Sequence, residues 1–301
     1  MLSRFKGMGV AMVTPFDTRG DIDFTSLQQL INYLIKHEAD YLVLLGTTGE
    51  ASTLSLTERY EVLDCAVEAV AERIPIVAGF GGNNTQKIIR DLSGYHFKGI
   101  DGILSVNPSY NRPNQEGIYN HFRAIAENCP VPILIYNVPS RTSSNIKAAT
   151  TIRIAQNLPN IVGIKEASGD MAQVMQIIHH KDRPDFLVLS GDDLLTLPLM
   201  ALGCDGVISV VGNALPRPFG NMVRAALEGD FETARHLHYA VSDMIHLLFA
   251  DGNPAGIKAA LHLLGLCENQ LRLPLVSVQD ALYEELRKAL EKLRSEGLLA
   301  H

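Results

Sequence analysis

The stretch IPIVAGFGGNN, residues 74–84, separates two candidate folds. A short apolar run followed by glycines is how a dinucleotide-binding unit opens, but here the third glycine position of that fingerprint is Asn84. Two apolar runs also precede it, so this is not the first strand–helix unit of a doubly wound sheet. Asn84 reads instead as an N-cap, its short amide accepting from a backbone N–H that the first helical turn leaves unpaired. Residues 74–84 therefore make the strand and turn of one βα unit.

Working outward, the same unit recurs. Eight short apolar runs, GVAMVT (9–14), YLVLLG (41–46), IPIVAG (74–79), GILSV (102–106), PILIYN (132–137), IVGIK (161–165), FLVLSG (186–191) and GVISV (206–210), are each too short for a helix. They read as strands buried on both faces. Helix-period segments lie between them, as in FTSLQQLINYLIKH (24–37), where Leu27, Leu30, Ile31, Leu34 and Ile35 share one face. Ser55 with Glu58 forms a capping-box pattern, and Asn114 is a further N-cap. Strand then helix, eight times, predicts a closed (β/α)8 TIM barrel over residues 1–228. From 229 to 301 the pattern is helical only, through ARHLHYAVSDMIHLLF, PAGIKAALHLLG and QDALYEELRKALEKL. This predicts a C-terminal helical appendage.

Composition narrows the partners. The 301 residues are 47% hydrophobic and carry a net charge of −7, which argues against nucleic acid or an anionic membrane as the main partner. No apolar run approaches the ~18 residues of a membrane span. The early apolar patch runs into Pro15 and Asp17, so it reads as a first core strand and not as a signal peptide. Cys65, Cys129, Cys204 and Cys267 are scattered, without a pairing pattern, as in a reducing compartment. The cytoplasm is the expected location.

In such barrels chemistry sits at the C-terminal strand ends. These carry Thr14, Thr47 and Thr48, Tyr110, Tyr136, Lys165 and Gly191. Lys165 is the pointed case, because a lysine head is rarely left in an apolar run without a partner. Neighbours in a strand alternate faces, so Glu166 is not that partner. Desolvation lowers an amine from its usual pKa of ~10.4 and leaves part of it neutral near pH 7. A neutral amine in a barrel mouth is a Schiff-base nucleophile.

Six motifs, GTTGEA, NPSYNRP, YNVPSRT, GIKEASGD, SGDD and GVISV, follow in this order over essentially the whole chain. Together they resemble the dihydrodipicolinate synthase family, within the pyruvate-dependent Schiff-base aldolases that also include N-acetylneuraminate lyase. The resemblance implies a lyase of diaminopimelate and lysine biosynthesis, condensing pyruvate with L-aspartate-4-semialdehyde to give 4-hydroxy-tetrahydrodipicolinate. It assigns Lys165 as the imine-forming residue and Tyr136, Thr47 and Tyr110 as a proton relay, with Tyr110 reaching in from the other subunit of a tight dimer. Thr48 corresponds to the pyruvate carboxylate cradle, where Gly46 and Gly49 allow close backbone approach. Gly191 and Ile208 correspond to backbone positions of the pyruvate pocket. Arg141 corresponds to the group that binds the semialdehyde carboxylate, and a guanidinium fork suits that task as lysine does not. Each residue also has a structural reading: a solvated lysine, a rim tyrosine, a packed loop aromatic, a surface ion pair.

Sialic-acid lyases usually lack the arginine and have Ser-Thr in place of Thr-Thr, so both features favour the synthase. The nearest rival is a sugar-acid lyase or another 2-oxoacid aldolase or dehydratase on this scaffold; a non-catalytic 2-oxoacid-binding relative would lack the lysine or the relay. No metal or organic cofactor is expected, since His179–His180 and His236/His238 lie at helical spacings that diverge. The resemblance implies a homo-oligomer, a tight dimer paired into a tetramer. Feedback-sensitive relatives bind lysine at the tight-dimer interface; the aligned positions here hold Ala51, Ser52, Leu56, Arg59, Asn83, Lys87 and Ser109. Only the asparagine clearly matches, which predicts weak or absent feedback.

Overall fold

The computed structural model describes residues 2–299. Eight parallel strands close in chain order: β1 (Gly7–Ala11), β2 (Tyr41–Leu44), β3 (Ile76–Gly79), β4 (Gly102–Val106), β5 (Ile133–Asn137), β6 (Ile161–Glu166), β7 (Leu187–Ser190) and β8 (Gly206–Ser209). β8 pairs back onto β1, with Gly9 opposite Ile208. A helix follows each strand, so the predicted (β/α)8 barrel forms.

Alternation along the strands sorts side chains into two layers. Tyr41 and Val43, Leu134 and Tyr136, and Leu187 and Leu189 fill the barrel interior. Leu42 and Leu44, Ile133 and Ile135, and Val188 face the helices. The first helix, Phe24–Lys36, buries Leu27, Leu30, Ile31 and Leu34 in that outer layer, each contributing about 1.5–3 kcal/mol. Ser55 and Glu58 form the expected capping box, and Asn84 and Asn114 cap their helices through the side chains. Each such cap stabilises by about 1 kcal/mol.

The first strand begins two residues earlier than its apolar run and ends at Ala11. Beyond it the Val13 N–H turns to Asn213 Oδ1 at 3.3 Å, and the Thr14 hydroxyl donates to the Gly49 carbonyl at 2.7 Å. The Met12 N–H still donates to the Val43 carbonyl at 2.9 Å, so the chain leaves the ladder at Val13, which turns toward the segment after β8, and Thr14 braces the turn after β2. After Leu227 only helices follow: Phe231–Ala250, Ala255–Leu263 and Asp280–Ser295. Val241, Ile257 and Leu286 of these helices belong to the same apolar layer as the barrel's outer face. Among the described residues, no helix is long and apolar enough to cross a membrane.

Candidate active site

β5 and β6 bring the central pair together. Their register starts with Ile133 opposite Ile161, then slips so that Leu134 faces Gly163 and Tyr136 faces Lys165. Both side chains enter the barrel mouth, and Lys165 Nζ lies 4.5 Å from the centre of the Tyr136 ring. Their neighbours Asn137 and Glu166 point the other way, where Asn137 Nδ2 donates to both Glu166 carboxylate oxygens at 3.1 Å. Gln173 Nε2 and the Ser168 N–H complete that shell at 3.0 and 2.8 Å. Glu166 is thereby satisfied without Lys165, as alternation requires.

Lys165 is 5% exposed. Burial lowers its amine to about 8, against the opposing pull of Asp193 and with help from the nearby Arg141 charge. Asp193 is itself pushed up to about 6 by burial, although the Val210 and Val211 N–H groups donate to it at 3.0 and 2.8 Å. Burial raises the Tyr136 phenol, while the Arg141 charge and the Thr47 hydroxyl draw it down. Gly191 is required here: a Cβ would meet the Ala167 Cβ at 2.6 Å and the Lys165 stem at 3.0–3.1 Å.

The turn after β2 forms the facing wall. A Cβ on Gly49 would press on the Met12 carbonyl at 3.1 Å, so this turn packs closely against the chain that follows β1. Gly46 faces open space and leaves the cavity clear. Thr48 is buried and accepts from Asn253 Nδ2 at 2.9 Å. The backbone carbonyl of Asn253 accepts from Nη2 of Arg141, on the short helix Pro139–Thr142, at 3.3 Å.

Lys165, Tyr136, Thr47, Thr48, Arg141 and Gly191 line one cavity of about 190 Å³. A wider cleft of about 630 Å³ adjoins it, sharing Thr47, Tyr136, Arg141 and Asn253. Two predicted residues lie elsewhere. Tyr110 is 89% exposed on a loop, with a left-handed φ of 70°, and lines neither space. Ile208 packs in the barrel interior, and Val210 of the following turn borders the cavity instead. Sequence inspection missed Asn253, Asp193 and Ser140. The last two sit inside the quoted motifs SGDD and YNVPSRT, whereas nothing in the local sequence marks Asn253. Among the described residues, no three His, Cys, Asp or Glu side chains gather as a metal-binding group.

Residues 4–293 match the model of the dihydrodipicolinate synthetase family. The chain is 49% identical over 288 residues to 4-hydroxy-tetrahydrodipicolinate synthase of Parabacteroides distasonis, covering 96% of this chain and 97% of that one. It is similar to a monomeric dihydrodipicolinate synthase variant, with a TM-score of 0.94, 39% identity and 99% of each chain covered. It is also similar to the chloride-inhibited dihydrodipicolinate synthase of Acinetobacter baumannii complexed with pyruvate, with a TM-score of 0.93, 38% identity and 98% and 99% coverage.

Proposed function

The chain belongs to the dihydrodipicolinate synthetase family, and from that membership we propose how its residues divide the work. It is a lyase with 4-hydroxy-tetrahydrodipicolinate synthase activity, condensing pyruvate with L-aspartate-4-semialdehyde. In our reading the neutral Lys165 amine attacks the ketone carbon of pyruvate and water leaves. The protonated imine then takes up the electrons of a methyl C–H bond as its proton departs. The enamine attacks the aldehyde carbon, and the product's own amino group displaces Lys165 from the imine. Tyr136, beside both the amine and Thr47, carries protons between these steps. Thr48 receives the pyruvate carboxylate, and Arg141 receives that of the semialdehyde.

The observation that carries this reading is a buried amine with lowered pKa in a cavity whose wall also holds an arginine. Arg141 borders the wider cleft as well, so one guanidinium faces both spaces. The test is a coupled assay of pyruvate plus semialdehyde against N-acetylneuraminate cleavage. We expect turnover of the first and little of the second; faster cleavage of the sugar would overturn the substrate assignment.

Tyr110 has no role within its own chain's cavity in this reading. Its exposure supports a tight dimer in which each copy lends the tyrosine to the other, and the pairing of such dimers into a tetramer rests on the resemblance alone. The cytoplasm remains the compartment we propose. Feedback by lysine should be weak or absent. Ala51, Ser52, Arg59, Lys87 and Ser109 all border the wider cleft, and Lys87 and Arg59 bring two cations to Asp91 at 2.6 and 4.0 Å. A ligand ammonium there would meet like charge where an acceptor is needed. Millimolar L-lysine is expected to leave the enzyme largely uninhibited, and two cooperative lysine sites per dimer by calorimetry would refute this.

A further inference from the structure

Asn253 lies 205 positions from Thr48, yet its side-chain Nδ2 donates to Thr48 Oγ1 at 2.9 Å, both residues being buried. A hydroxyl has one proton and two lone pairs. Because the amide occupies a lone pair, the Thr48 proton is free to point elsewhere. Thr48 and Asn253 both border the cavity that holds Lys165. We propose that Asn253 is a positioning residue that fixes the Thr48 hydroxyl as a donor toward the carboxylate of the 2-oxoacid. The proposal rests on the assignment of that carboxylate to Thr48.

A second contact holds the same two segments together. Glu50, two residues after Thr48, pairs with Lys258 at 2.5 Å, and both side chains are fully enclosed. Lys258 belongs to the helix Ala255–Leu263 that starts just after Asn253, and it also donates to the Gln270 carbonyl at 2.8 Å. The Arg272 N–H donates to the other Glu50 oxygen at 3.0 Å. Glu50 has a left-handed φ of 51°, a conformation that costs energy in a non-glycine residue and persists only when its surroundings hold it. Amide and ion pair together bolt the pyruvate-side turn to the C-terminal region. This gives that region a part in substrate binding.

The readout is the pyruvate concentration that half-saturates borohydride trapping, without the semialdehyde and at a pH above the Lys165 titration. Losing one hydrogen bond to a charged group should raise it about tenfold for Thr48→Val. Asn253→Ala should raise it comparably, and the double variant no further than Thr48→Val alone, because both act through one hydroxyl. Asn253→Asp has nearly the same shape but is an acceptor when ionised. It should capture the Thr48 proton, add negative charge, and bind pyruvate worse than the alanine variant. An unaltered value in Thr48→Val would remove the carboxylate assignment itself. With that assignment intact, unchanged binding in Asn253→Ala, additive losses in the double variant, or an aspartate as good as asparagine would each overturn the proposal.

Discussion

Borohydride added with pyruvate is expected to fix one covalent adduct on Lys165, and Lys165→Ala should lower turnover by roughly 10⁴-fold or more. Reduction converts an imine into a stable amine, so mass spectrometry of the digested protein identifies the lysine that formed it. Lys258 is the instructive competitor, because burial also draws its pKa down. Its amine is nevertheless enclosed by Glu50, the Gln270 carbonyl and the Phe16 ring, with no room for a ketone. Lys87 is exposed and paired with Asp91. Trapping should also follow pH in a definite sense. With the Lys165 amine at about 8, the neutral fraction rises roughly tenfold per unit below that value and levels off above it. An adduct on Lys87 or Lys258, or trapping that ignores pH between about 6 and 8, would sink the mechanism.

Arg141→Ala should cost about a hundredfold in kcat/KM for the semialdehyde, since it removes a guanidinium from a carboxylate in an enclosed site. Trapping by pyruvate should change only a few-fold. A secondary effect has a fixed sign: the Arg141 charge lowers both the Lys165 amine and the Tyr136 phenol, so its loss moves both upward and shifts the trapping profile to higher pH. Arg141→Lys separates the two effects. It keeps the positive charge, and with it the pH profile, but not the fork that grips a carboxylate, so the semialdehyde defect should persist. Equal losses for both substrates in the alanine variant would show that Arg141 serves the structure, through the Asn253 carbonyl it binds.

The sequence alone determined the repeating strand and helix units, because burial on both faces and burial on one stripe leave different periods in the order of apolar residues. It also marked Lys165, Tyr136 and the two threonines, since polar groups at the ends of apolar runs are conspicuous, whereas Arg141 was marked only by the resemblance of its motif. Direction was a different matter. Strict alternation from Val162, which lies inside the barrel, would send Lys165 outward. The register slip at Gly163 puts two successive residues of β6 on the inner side and so reverses the alternation. Gly163 itself has room only because it lacks a side chain, as a Cβ would lie 2.7 Å from the Leu187 carbonyl. Ile164 then faces the helices, and Lys165 meets Tyr136 across the strands. That slip, like the contact of Asn253 with Thr48, depends on what neighbouring strands and distant segments accommodate. Only the closed barrel brings those neighbours together, so no local pattern of residues carries the information.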